Sequence, residues 1–363
     1  DDPPAEALRV FRAAAYAPGP RQQLQAAELF PDVPGQIFSL AANPLENTFL
    51  IGFEDGTIIL WDLASQSEIL RLAGHTDIVR DLAFSSDGQR ALSGGDDHQV
   101  ILWDLATGTE LQRFSGHSGW VRAVAFSPDE SLAASGGFAG DSIYSNVDPG
   151  ELFLWDLNSG EALHKFEGGD NTHPSGVQDI AFSPDGQDLL VSFGVFSASK
   201  LDYGLELLDV HSGEEIHSFT VDHDNFSLAI SPDGKQALTG GSDFNLHLWD
   251  LESGKELQVL SGHPGLLTSV AFSSDGSKAL AADWAGRVLL WDLETGAQLL
   301  HIHGHQVNVN WTGGHIPPAN AVIASSGRQA LSSAGDGTLV VWDLHDAGEI
   351  RRFEGHDAPV STV

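Results

Sequence analysis

The chain has 363 residues, with 17 Lys and Arg against 51 Asp and Glu, and a formal net charge of −34. That balance opposes direct binding to nucleic acid or anionic lipid, where cations must displace counterions, and it suits a basic partner or a well-solvated surface. Cysteine is absent, which excludes disulfides, thiolate zinc sites, a cysteine nucleophile and c-type haem attachment.

The sequence opens on Asp1-Asp2-Pro3-Pro4 and contains no Met, so it is expected to be processed or to be a piece of a longer chain. No apolar run approaches the ~20 residues that span a bilayer. The compartment stays open, with a lean to the extracytoplasmic side. Residues 1–35 form an N-terminal extension. Its Ala-, Leu-, Arg- and Gln-rich stretches Ala5–Tyr16 and Gln22–Phe30 read as short helices. Against that, 5–11 resembles Gly160–Phe166, so this stretch also fits a strand.

From residue 36 to 354 the chain repeats itself. Trp61-Asp62, Trp103-Asp104, Trp155-Asp156, Leu208-Asp209, Trp249-Asp250, Trp291-Asp292 and Trp342-Asp343 follow one another at 42, 52, 53, 41, 42 and 51 residues. The base period is therefore about 42, the length of a four-stranded propeller blade. One unit shows why. Ile78–Phe84 alternates apolar and polar residues, Ser85-Ser86-Asp87-Gly88 turns, and Arg90–Ser93 resumes extended chain. After the turn at Gly94–Asp97 come Gln99–Trp103 and, past Leu105–Gly108, Glu110–Phe114. The turn returns as Ser183-Pro184-Asp185-Gly186 and Ser231-Pro232-Asp233-Gly234, where Pro presets φ and Gly closes the bend. Residues 355–363 begin a further repeat, either a ring-closure strand or the start of an eighth blade.

Five Gly-His pairs, ending at His75, His117, His263, His305 and His356, stand in register with the Trp-Asp pairs. On these residues the chain resembles the WD-repeat (WD40) family over 36–355. The resemblance implies an all-β, seven-bladed propeller of four-stranded antiparallel blades, with an eight-bladed ring or a longer array as the alternative. It also implies a buried network in each repeat of the Gly-His histidine, a hydroxyl, a turn Asp and the strand Trp. His75, Ser93, Asp97 and Trp103 match it, as do His305, Ser332, Asp336 and Trp342. His223, Thr239, Asp243 and Trp249 match with His223 two residues closer. The first unit lacks the His and has Ile51 at the hydroxyl position. The sixth has Ala281 there and Ala285 at the Asp position, and the fourth has Leu208 for Trp and His173 without its Gly.

Repeated His, Ser and Asp residues superficially suggest a hydrolase triad, but a triad occurs once, beside an oxyanion hole. The set is therefore assigned to structure, and no catalytic residue or cofactor is expected. His301-x-His303-x-His305 has a spacing that suits zinc on one strand face. His305 belongs to the network, however, and no metal is expected there.

The resemblance places partners on the face where outer-to-inner connections and second-to-third-strand loops crowd together. Three elaborations fall in one sector: Phe138–Gly150 with Phe138, Asp141, Tyr144 and Asp148; Gly194–Tyr203 with Phe196, Lys200 and Tyr203; and Gly168–His173. Residues five beyond the Gly-His histidine are expected around the central opening, namely Arg80, Arg122, Gln178, Thr268 and Asn310. Trp120 and Trp311 flank them, and Trp284 sits in a turn; aromatics and Arg are enriched at binding hot spots. The expected function is a non-catalytic protein-interaction scaffold or sensor module for a protein or peptide. The alternatives are a small-ligand or carbohydrate binder, or the accessory propeller of a larger protein whose activity lies elsewhere.

Overall fold

The computed structural model describes residues 24–25, 36–65, 67–140, 150–167, 176–194, 203–303, 305, 319–324, 329–333, 339–344 and 348–354. These build seven antiparallel sheets in chain order, spanning 37–72, 79–115, 121–167, 176–219, 225–261, 267–303 and 320–354. Each blade has four consecutive strands, and the seventh sheet gains a fifth, parallel strand from Leu24–Gln25. The innermost strands pack side by side all the way round, and Asn320–Ile323 of the seventh blade meets Ile37–Ala42 of the first. The ring is therefore closed with seven blades, as the period predicts. No helix among the described residues is long and apolar enough to cross a membrane.

The core lies between blades and not within them. Seven apolar clusters fill the joints, and the third-strand Trp of one blade packs against the blade before it. Trp103 sits with Leu50, Ile58, Leu60 and Leu72 of blade one, and Trp61 sits with Leu331, Leu339 and Val341 of blade seven across the closure. In blade four Leu208 takes that place against Leu152 and Leu154 of blade three. A wide indole is thus not required at every joint when neighbouring side chains fill the volume. Blades approach closely because glycines face the next inner strand: a Cβ on Gly94 would stand 2.6 Å from a Val121 methyl.

The Asp of the Trp-Asp pair in blades one, two, three, five and six ends the third strand and caps the turn that follows. Asp104 Oδ1 accepts the Thr107 N–H at 2.7 Å and its hydroxyl at 2.8 Å; these bonds hold its carboxyl below the usual range. This is an Asx turn, and Gly108 closes it at φ 72°.

The N-terminal extension departs from its expected helices where it is described. Leu24–Gln25 is strand and lies parallel to the outermost strand of blade seven, with Leu24 opposite Phe353 and Gln25 opposite Glu354. An outermost strand exposes an unpaired row of N–H and C=O groups, and pairing with it outweighs local helix preference. The rest of that extension, the expected helix Ala5–Tyr16 and the tail 355–363 lie outside the described residues.

Candidate binding face and the blade networks

In blade two the expected network is complete. The Trp103 indole N–H donates to Ser93 Oγ at 2.8 Å, Ser93 Oγ lies 2.7 Å from His75 Nε2, and His75 Nδ1 lies 2.8 Å from Asp97 Oδ1. Asp97 also accepts the Thr76 N–H at 3.0 Å, so one carboxylate holds both the histidine ring and the backbone beside it. Burial raises the Asp97 pKa, but the His75 bond and charge outweigh it and hold the carboxyl below its usual range. Ser93 is fully buried between the two rings, out of reach of a substrate. Blade seven repeats the core, with Ser332 Oγ 2.7 Å from both His305 Nε2 and Trp342 Nε1; Asp336 lies outside the described residues.

Three blades differ from the sequence expectation. In blade three His117 Nε2 and Trp155 Nε1 meet Ser135 Oγ at 2.7 and 2.8 Å. The carboxylate comes from Glu151 on the third strand, which accepts the Ser118 N–H at 2.7 Å. Burial raises the Glu151 pKa, but His117, the Ser118 N–H and Lys165 hold it down at about 2. In blade six His263 is not without an acid: its Nδ1 lies 2.9 Å from Asp283 Oδ2, two residues before Ala285. Ala281 offers no hydroxyl, and His263 Nε2 is buried without a hydrogen-bond partner.

Blade five departs furthest. Trp249 donates to Thr239 Oγ1 at 2.9 Å, but His223 does not join them. Its Nδ1 lies 3.1 Å from Asp222, and its ring stacks on His247 at 4.4 Å between centroids. His247 takes the expected bond to Asp243, Nε2 to Oδ2 at 2.9 Å, and places Nδ1 2.5 Å from Glu256 Oε1. Burial lowers the His247 pKa, but Asp243 and Glu256 raise it above the usual histidine value.

Around the ring, six innermost strands carry a register shift near their start, as at Val79/Asp81 and Val121/Ala123. These bulges set Phe38, Arg80, Arg122, Gln178, Phe226 and Thr268 at one equivalent position. By the same pairing register the equivalent residue in blade seven is Ala319, since Ala321 pairs with Ser332 as Leu82 pairs with Ser93. Asn320 stands where Asp81 does in blade two, and its amide donates to Phe38 O at 2.9 Å and ties blade seven to blade one. Phe38 and Phe226 have no Gly-His at the usual offset, which hid them in the sequence.

The next residue along staples most neighbours together. Ser39 donates to Val79 O, Asp81 accepts the Val124 N–H, Asp179 accepts the Leu228 N–H, Ser227 accepts the Val270 N–H, and Ser269 donates to Ala321 O. Blade three has Ala123 there. Burial and the charge of Asp179 push the Asp81 carboxyl up to about 8; burial also pushes Asp179 up, to about 6.

The expected binding residues are divided by this arrangement. Arg80 is largely engaged: Nε lies 2.7 Å from Asp96 Oδ1, and its guanidinium stands 5.1 and 5.4 Å from the ring centroids of Phe38 and Trp120. The Arg122 guanidinium lies 5.7 Å from the Phe138 ring, and burial with the like charge of Arg80 brings its pKa down to about 10. Two expected contact residues prove to be interior. Phe138 is 4 % exposed, wedged against Gly176, and Gln178 is buried with its amide donating to Gly194 O at 2.9 Å. Phe138 ends its strand and Gln178 stands near the start of its own, where blade-to-blade packing claims them. Thr268 donates to Ala319 O at 2.6 Å. Trp284 is half-buried, and its indole N–H has no hydrogen-bond partner.

Tyr203 is half-buried, and burial followed by the charges of Asp224 and Asp222 raises its pKa. The end of the blade-four insertion thus reaches the rim of blade five. Asp141, Tyr144, Asp148, Phe196, Lys200, His173, Asn310 and Trp311 lie outside the described residues. His301 is exposed on the outermost strand of blade six.

A family model described as "WD domain, G-beta repeat" matches residues 31–62, 66–104, 108–143, 213–250 and 254–292. Four of the five segments end at the third-strand Asp, so the sequence unit takes the outermost strand of one blade with three strands of the next. The chain is 26 % identical over 231 residues to the "Serine-threonine kinase receptor-associated protein" of Dictyostelium discoideum, covering 64 % of this chain and 71 % of that one. It is 34 % identical over 228 residues to the "Small ribosomal subunit protein RACK1" of Caenorhabditis elegans, 60 % of this chain and 65 % of that one. It is 29 % identical over 129 residues to "Autophagy-related protein 16" of Arabidopsis thaliana, 36 % of this chain and only 23 % of that one.

Proposed function

The chain belongs to the WD40 repeat family, and from that premise we propose that it is a non-catalytic scaffold that binds a protein or peptide segment across the ring face. The observation that carries this reading is the set of bulged inner-strand positions, which brings one side chain from each blade to an equivalent place around the ring. There Arg80, Arg122 and Trp120 form a rigid cationic and aromatic pad, with their positions set by Asp96, Phe38 and Phe138. Side chains already held in place lose little entropy on binding.

Tyr203 and Trp284 extend the contact surface toward blades five and six. The surrounding charge, −34 over the chain, favours a basic segment and speeds its encounter. Catalysis is left out of this reading because the His–Ser sets are buried beneath the face and recur from blade to blade. A display selection of random peptides on the immobilised protein tests it. The expected result is enrichment of basic sequences that compete for one site. Enrichment of none, or mutually non-competing binders only, contradicts it.

A further inference from the structure

The departure in blade five builds a constellation that the repeat does not need. His223, Asp243 and His247 offer one ligand atom each, and these atoms lie within 4.8 Å of one another. Both imidazoles are oriented alike. His223 Nδ1 faces Asp222 at 3.1 Å and His247 Nδ1 faces Glu256 at 2.5 Å, so a carboxylate accepts from each Nδ1–H and directs each Nε2 toward the site, where that of His247 donates its own proton to Asp243 until an ion replaces it. That is the outer-shell arrangement which fixes the tautomer and raises the basicity of metal-binding histidines.

The Nε2 lone pair of His223 is unused. His223 is 6 % exposed and its Nε2 has no hydrogen-bond partner, a costly state for a buried polar atom unless something else satisfies it. The backbone already brings the pieces together. Ser242 N–H donates to Asp224 O at 2.9 Å, and Asp224 N–H donates to Ser242 Oγ at 3.1 Å, which clasps the connection carrying His223 to the turn carrying Asp243. His247 stands on the adjoining strand Asn245–Asp250.

We propose that His223 Nε2, His247 Nε2 and an Asp243 carboxylate oxygen form a binding site for a divalent transition-metal ion of the zinc class, at the rim of blade five. Two imidazoles and one carboxylate select such an ion over calcium or magnesium, which prefer all-oxygen shells. Three protein ligands leave a position open for water or for a side chain of a bound partner. Binding releases the His247 Nε2 proton and exchanges its hydrogen bond to Asp243 for two metal bonds; donors about 2.0–2.2 Å from one tetrahedral ion stand farther apart than the 2.9 Å of that hydrogen bond and closer than the 4.8 Å reach of the set.

The test is zinc titration of the purified, chelator-stripped chain against a chromophoric chelator, with magnesium and calcium as competitors. One equivalent is expected to bind, undisturbed by either competitor. Glu256→Gln, at a partly exposed position whose loss leaves the blade folded, is expected to weaken binding by about 10–100-fold through the outer shell. Asp243→Asn and His247→Gln are expected to weaken it further, while His301→Gln with His303→Gln leaves it unchanged. Histidine ¹⁵N resonances of the unaltered chain provide a measurement that needs no variant: Nε2 of His223 and of His247 shift together with one equivalent of zinc. No saturable one-to-one binding, unchanged affinity in Glu256→Gln, or shifts confined to other histidines overturns the proposal.

Discussion

Blades two and five carry the same kinds of group, a histidine, a hydroxyl, an Asp and a Trp, at almost the same offsets, yet they wire them differently. In blade two one serine joins the Trp103 and His75 rings, and Asp97 closes the chain of bonds. In blade five Thr239 serves Trp249 alone, while His247 displaces His223 from the turn Asp. The displacement follows from length. Two residues fewer before the inner strand leave His223 stacked over the turn and not threaded behind it. A repeat motif therefore specifies which groups are buried, while the connection length decides who bonds with whom.

The largest effect expected on this contrast comes from the shared indole. Trp103→Ala removes the ring that fills the joint with blade one and should cost about 3–5 kcal/mol, read as loss of midpoint in denaturant unfolding. Ser93→Ala comes next. It leaves Trp103 Nε1 and His75 Nε2 unsatisfied together, at about 1–3 kcal/mol for each orphaned group. Thr239→Val, the matching change in blade five, orphans Trp249 Nε1 alone, so its cost should be roughly half as large. Equal losses in the two blades would mean that the wiring does not matter. Blade six allows the reverse experiment: Ala281→Ser supplies the missing hydroxyl beside His263 Nε2 and should stabilise by up to about 1 kcal/mol.

A smaller effect concerns the staples between inner strands. Asp81 has a folded pKa raised to about 8, so its ionised form is the disfavoured one. The penalty is absent below the unfolded carboxylate pKa, grows as pH rises from there to about 8, and is complete above it. Melting temperature should therefore fall between pH 5.5 and 8.5 by at least about 2 °C more in the unaltered chain than in Asp81→Asn. Parallel pH profiles in a calorimetric scan would show that Asp81 does not titrate in this range.

Much of this was legible in the sequence because the Trp-Asp period is long-range and redundant. Seven units, their four strands, and the networks of blades two and seven follow from residues at fixed offsets. What escaped depended on geometry between offsets. The Glu151 carboxylate arrives from a strand and not from a turn, Asp283 stands two residues early, and His247 looks like any polar residue on an alternating strand. In blade seven the added chain before the innermost strand moves the ring position to Ala319, away from the offset that pointed to Asn310, and Phe38 and Phe226 lacked the histidine from which the others were counted. The interior placement of Phe138 and Gln178 rests on blade-to-blade packing, which no local pattern encodes. Leu24–Gln25 became strand because the edge of blade seven supplied a partner.

The most direct measurement of the binding-face reading is hydrogen–deuterium exchange of the chain with and without a peptide selected on it. Slowed exchange is predicted at the starts of the innermost strands, around 78–81, 120–123 and 225–227, and at the rim near Tyr203. Protection confined to the outermost strands, such as Ser67–Leu72 and Thr109–Ser115, would contradict it.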